Sequence, residues 1–140
     1  VMYRSKSALK LLFQENITVS PGSETPEWFK FELDVNKWLI KNKFETIHTG
    51  GSGDGGKDII ATKIIDKEIQ TFLFECNCWK LPVGIGIVRN LVGTLTDYPP
   101  GTIGAIITTS NFTSDAIEYA EKKDIMLIDG QQLLNLNFLN

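Results

Sequence analysis

Residues 50 to 78 decide the fold: Gly50-Gly51-Ser52-Gly53-Asp54-Gly55-Gly56-Lys57-Asp58-Ile59-Ile60-Ala61-Thr62-Lys63-Ile64-Ile65-Asp66-Lys67-Glu68-Ile69-Gln70-Thr71-Phe72-Leu73-Phe74-Glu75-Cys76-Asn77-Cys78. Five of the first seven residues are glycine, and a β-rich run follows over 57–65. Asp66-Lys67 reads as a hairpin turn, and 69–78 as the returning strand. Counting outward from that turn sets Asp58 directly opposite Glu75, with Cβ atoms roughly 4.5–5.5 Å apart. Like charges facing across a hairpin destabilise it. A divalent cation would offset the repulsion, and hard carboxylate oxygens suit Mg²⁺ or Mn²⁺. Two acids merely solvated at their strand ends remain the alternative. A bulge near either end would stagger the pair.

The glycine run itself resembles a phosphate loop through Gly51, Gly56 and Lys57. The context argues against one. Asp58 stands where a magnesium-holding Ser or Thr belongs, and a strand follows where a helix is needed. A tight strand connection explains the glycines.

Working toward the N-terminus, Thr25-Pro26-Glu27 starts a helix: a cap, a proline at the first helical position and an acid at the positive end of the dipole. Trp28, Phe31, Val35, Trp38 and Leu39 form one apolar stripe, and the helix runs to about Asn42. Glu32 lies beside the stripe. Phe44 to Thr49 reads as a short strand. Residues 1–24 read as an N-terminal helix and linker, with Leu9, Leu12 and Phe13 at helical spacing. Arg4, Lys6 and Lys10, with no acid over 1–14, also leave mitochondrial targeting open.

Toward the C-terminus, Trp79 to Gly86 reads as a loop and Ile87 to Thr96 as a helix stopped by Tyr98-Pro99-Pro100-Gly101. Thr102 to Thr108 is a nearly continuous apolar run, the pattern of a covered parallel strand. Thr113 or Ser114 caps a helix to Lys123. Ile125 to Ile128 is a short buried strand, and Gly130 opens a last helix around Leu133 and Leu134. The order is α/β: helix, three strands, helix, strand, helix, strand, helix. It predicts a mixed sheet of about five strands with right-handed crossovers.

The chain has 140 residues, 42% hydrophobic and 22% charged, with formal charge −3. That fits a single domain over 25–140 and excludes disorder. No apolar run approaches ~20 residues, so a membrane span is excluded. The acidic balance means that an anionic partner must be held by a local patch. Cys76 and Cys78 suggest ordinary thiols in a reducing, intracellular compartment. With His48 they would make an incomplete zinc set. His48 could also shuttle a proton, but a strand-end histidine is the simpler reading.

Several of these segments together resemble the Mrr-type restriction endonuclease domain of the PD-(D/E)xK nuclease superfamily. The carrying residues are Phe31-Glu32 through Phe44; Thr49-Gly50-Gly51-Ser52-Gly53-Asp54-Gly55-Gly56-Lys57-Asp58; Phe74-Glu75-Cys76-Asn77-Cys78-Trp79-Lys80; Pro82-Val83-Gly84; Val88-Arg89, Leu91 and Gly93; Thr108-Thr109-Ser110-Asn111-Phe112-Thr113; and Leu127-Ile128-Asp129-Gly130. The resemblance spans about 26 to 136. It implies a restriction-endonuclease-like core (αβββαβα) that cuts double-stranded DNA with Mg²⁺ or Mn²⁺. It implies that Asp58, Glu75 and the Cys76 carbonyl bind the metal, with Glu32 in support.

One position departs from the family pattern. Asn77 stands where the motif lysine belongs. It shares a strand face with Glu75, but it can supply neither charge nor base. Lys57, Lys80 and Lys30 are candidates for a migrated lysine. Alternatively the domain binds DNA without cutting. A Holliday-junction resolvase-like nuclease, and with it a homodimer, is a third reading. Lys57, Lys80 and Arg89 are the candidate phosphate contacts, expected on loops or helix starts near the site.

Overall fold

In a computed structural model of the protein, the described residues are 12–13, 27–48 and 57–136; the side chains of 27–29, 48 and 57–58 fall outside the description. The elements run α1 (Glu27–Lys41), β1 (Glu45–His48), β2 (Lys57–Ile65), β3 (Glu68–Asn77), α2 (Ile85–Leu95), β4 (Ile103–Thr108), α3 (Ser114–Lys123), β5 (Met126–Ile128) and α4 (Gly130–Asn135). This is the order read from the sequence, on one five-stranded sheet ordered β1-β2-β3-β4-β5. The expected Thr25 cap, the glycine loop and, apart from Leu12 and Phe13, the N-terminal helix and linker expected over residues 1–24 lie outside the described residues.

β1, β2 and β3 pair antiparallel, while β3, β4 and β5 pair parallel. Asp66 (φ 51°) and Lys67 (φ 70°) both take the left-handed conformation that a two-residue turn of matching twist requires. The parallel connections need crossovers, and α2 and α3 supply them. Local chemistry sets the helix ends. The Thr113 side chain accepts from the Ala116 amide at 3.2 Å, and Asp124 closes α3 in a left-handed conformation at φ 56°. Asp129 and Gln132 form a reciprocal capping box at the start of α4. α2 starts at Ile85, two residues before the expected Ile87. Gly84 precedes it without a side-chain cap, so no capping residue marked the boundary.

The sheet separates two cores. On one side, Phe31, Val35, Trp38 and Leu39 of α1 pack on Phe72, Phe74 and Cys76 of β3. Phe13 joins them, stacked on Trp38 with centroids 4.0 Å apart. On the other side, Val88 and Leu91 of α2 and Ala116 and Ala120 of α3 pack on Leu73 and Ile106. At Gly104 a Cβ would press on the methyl ends of Leu95, Ile125 and Leu91, which would have to shift to admit it. Gly130 is needed at the sheet's end, since a Cβ would collide with the Thr109 carbonyl oxygen. No helix among the described residues is long and apolar enough to cross a membrane.

Candidate active site

Register builds the site. Asp58 is the direct antiparallel partner of Glu75, as the turn count required. Side chains alternate along a strand. Leu73 faces the α2–α3 core, so Glu75 and Asn77 face that side too. The Asp58 side chain itself lies outside the described residues.

Glu75 is half-buried. The Asn77 amide donates from Nδ2 to Glu75 Oε2 at 3.2 Å. Asn77 is 1% exposed, and its backbone pairs with Thr108 of β4. Asn77 therefore holds the Glu75 carboxylate through an uncharged amide donor, inside a wall of sheet. Glu32 is also buried, 1% exposed on α1. Its neighbour Phe31 lines a cleft of about 560 Å³ with Lys80, Asn111, Asp129, Gln131 and Leu134. That cleft opens beyond the C-terminal ends of β3, β4 and β5. The N-terminal end of β2, which carries Asp58, lies at the same end of the sheet.

The candidate cations divide. Lys80 is exposed and lines the cleft. Lys30 is half-buried and acts, with Lys37, on the Asp34 carboxyl. Burial pushes that carboxyl above its ordinary 3.8, and the two lysines oppose the rise. The Lys57 side chain lies outside the described residues. Arg89 corrects the expectation of a loop or helix start. It sits in the second turn of α2, with its guanidinium 5.6 Å from the centroid of Tyr119 on α3. The helix begins earlier than its apolar spacing suggested, which carries Arg89 inside it. The His48 side chain lies outside the described residues, while its backbone pairs with Ile59.

Sequence reasoning gave no role to Thr108-Thr109-Ser110-Asn111. This segment fastens the loop after β3. Thr109 Oγ1 donates to the Trp79 carbonyl at 3.0 Å and Ser110 Oγ to the Leu81 carbonyl at 2.8 Å. A hydroxyl-rich run after a buried strand was the signal available.

Asp58 and Glu75 are directly paired positions in the register, and carboxylate and backbone carbonyl oxygens are the donor type that suits a hard divalent cation. Among the described residues, no group of three or more His, Cys, Asp or Glu side chains gathers into a metal cluster. That count leaves out the Asp58 side chain.

The mixed five-stranded sheet flanked by helices is the fold of a restriction-endonuclease-like domain. The restriction endonuclease family model for the Mrr catalytic domain matches residues 24–137. The chain belongs to this Mrr-type family of PD-(D/E)xK nucleases. It is 32% identical over 93 residues to the type IV methyl-directed restriction enzyme EcoKMrr of Escherichia coli, covering 65% of this chain and 30% of that protein. It is 33% identical over 95 residues to an uncharacterised mitochondrial protein of Schizosaccharomyces pombe, covering 63% of this chain and 37% of that protein. The chain thus spans about a third of the length of these relatives. Among solved structures, the DNA modification-dependent restriction endonuclease AspBHI superposes with a TM-score of 0.59 at 22% identity, over 94% of this chain and 34% of its own. The MspJI restriction endonuclease, solved with a 27-mer oligonucleotide, gives 0.55 at 18% identity, over 76% and 26%. At these identities the two structures speak for the fold.

Proposed function

We propose that this domain is a metal-dependent DNA endonuclease of Mrr type, with Asp58, Glu75 and the Cys76 carbonyl as the residues that would hold Mg²⁺ or Mn²⁺. The direct pairing of Asp58 with Glu75 carries the reading. Acids at directly paired positions would repel, and a cation between them would remove the repulsion. When bound, such a cation would supply Lewis acidity toward a phosphodiester and a nucleophilic hydroxide at neutral pH.

The chain's own residues do the rest. Asn77 keeps Glu75 Oε2 oriented through its Nδ2 donor. Glu32, buried on α1, is the helix-borne acid that the family resemblance assigns to support of the site, and α1 packs on the opposite face of the sheet from Glu75. Lys80 offers a cation to a DNA phosphate at the cleft. Asn77 also favours a second reading. A neutral amide in the lysine position leaves the acids without their usual positive neighbour, as in a domain that binds DNA without cutting it.

Plasmid nicking separates the two. The domain should convert supercoiled DNA to the nicked form in Mg²⁺ or Mn²⁺ and not in EDTA. Asp58→Ala and Glu75→Ala should each lower this by about 10²–10³. Binding without nicking in either metal would overturn the nuclease reading in favour of the silent module.

A further inference from the structure

Immediately past β3, Trp79, Lys80 and Leu81 are all exposed, Trp79 by 38% and Leu81 by 76%. The segment is not exposed because it is loose. The Trp79 and Leu81 carbonyls are held by the Thr109 and Ser110 hydroxyls, the Val83 amide donates to Asn111 O at 2.7 Å, and the Thr113 amide donates to Val83 O at 3.0 Å. Val83 is fully buried, and Pro82 fixes its own φ between these anchors. A tryptophan and a leucine are therefore displayed on a fastened backbone, forgoing the gain from burying them. Between them Lys80 lines the cleft, three residues after Asn77.

The chemistry of this tip selects among forms of DNA. An intact duplex turns phosphates outward, which would satisfy Lys80 and leave Trp79 and Leu81 against charge and water. Unpaired bases expose flat apolar faces, on which aromatic side chains stack and between which aliphatic wedges insert. We propose that Trp79-Lys80-Leu81 is a preformed tip that engages unpaired bases beside the scissile phosphate, so the site prefers DNA with a locally unpaired segment. This rests on the nuclease reading above and names its substrate class.

Binding of the full chain in EDTA tests the proposal without reading cleavage. Two labelled duplexes of equal length are compared by anisotropy, one fully paired and one with a short central bubble. The bubble should bind about tenfold tighter or more, given the usual worth of stacking one base. The double variant Trp79→Ala/Leu81→Ser should bring the two DNAs within about twofold. Bubble DNA should also change tryptophan emission in the parent and not in Trp79→Phe. Equal binding of both DNAs by the parent, or a preference that survives the double variant, overturns the proposal. So does an emission change that persists in Trp79→Phe. Thermal melting of the variants checks that the fold is kept. Bubble preference in a domain that nicks nothing would sink the nuclease reading alone. Nicking with no preference would sink this inference alone.

Discussion

The two limbs of the sheet meet at β3 and are stabilised differently. In the antiparallel limb, β2 and β3 extend past their helical cover, and the cross-strand partners Ile64 and Ile69 are 71% and 74% exposed. In the parallel limb, β4 is buried from Gly104 to Thr108. Pairing and turn geometry set the first limb, and packing sets the second. The acids Asp58 and Glu75 sit where the two meet, at the end of the exposed limb that abuts the packed one. The contrast teaches that the candidate chemistry is placed by backbone register, while the parallel limb gives that register a rigid backing.

The largest effect that could break this division belongs to Glu75. Glu75→Ala should lower nicking by about 10²–10³, the usual cost of losing one electrostatic stabiliser, with the melting temperature nearly unchanged. A large fall in stability would mean that the acid is structural. Next, Ile106→Ala in β4 should cost about 2–5 kcal/mol in urea unfolding. Ile69→Ala, at the exposed end of the hairpin, should stay within about 0.5 kcal/mol. Equal costs would erase the distinction between the limbs. Asn77→Lys comes third. It should raise the nicking rate by about tenfold or more if a missing charge limits an intact site, on the scale of one lost stabiliser; no gain would argue that another group already does this work.

The smallest effect concerns Lys63, on the α1 side of β2. Its Nζ donates to Leu12 O at 2.9 Å and lies 4.9 Å from the centroid of Phe44. Burial lowers its pKa from the ordinary 10.5. The penalty on the charged amine is thus full below the folded-state pKa and fades as pH rises toward 10.5. Relative to Lys63→Met, the parent should gain stability as pH climbs through that alkaline window. A flat difference across it would show that the amine is not penalised.

The fold was largely legible because its signals are local. Turn residues at 66–67, the cap at Thr113 and the apolar run of β4 each act over a few residues. The acid pairing was legible for the same reason, since a two-residue turn turns counting into register. What escaped the sequence depends on contacts between distant segments. The burial of Asn77 needs β4 alongside β3. The display of Trp79 and Leu81 needs the hydroxyls of Thr109 and Ser110, roughly thirty residues away. Arg89 was misplaced because α2 begins without a capping side chain, so its first turn left no mark in the sequence.

The turn at Asp66-Lys67 has a consequence for how this domain can evolve. Seven residues lie between it and Asp58 along one arm and between it and Glu75 along the other, eight steps or roughly 26 Å at the rise of a strand. One residue gained or lost at that tip would slide one arm past the other and send one acid through to the opposite side of the sheet. Descendants are therefore held to a turn of this length and to residues that accept its left-handed backbone, although neither residue comes near Asp58 or Glu75.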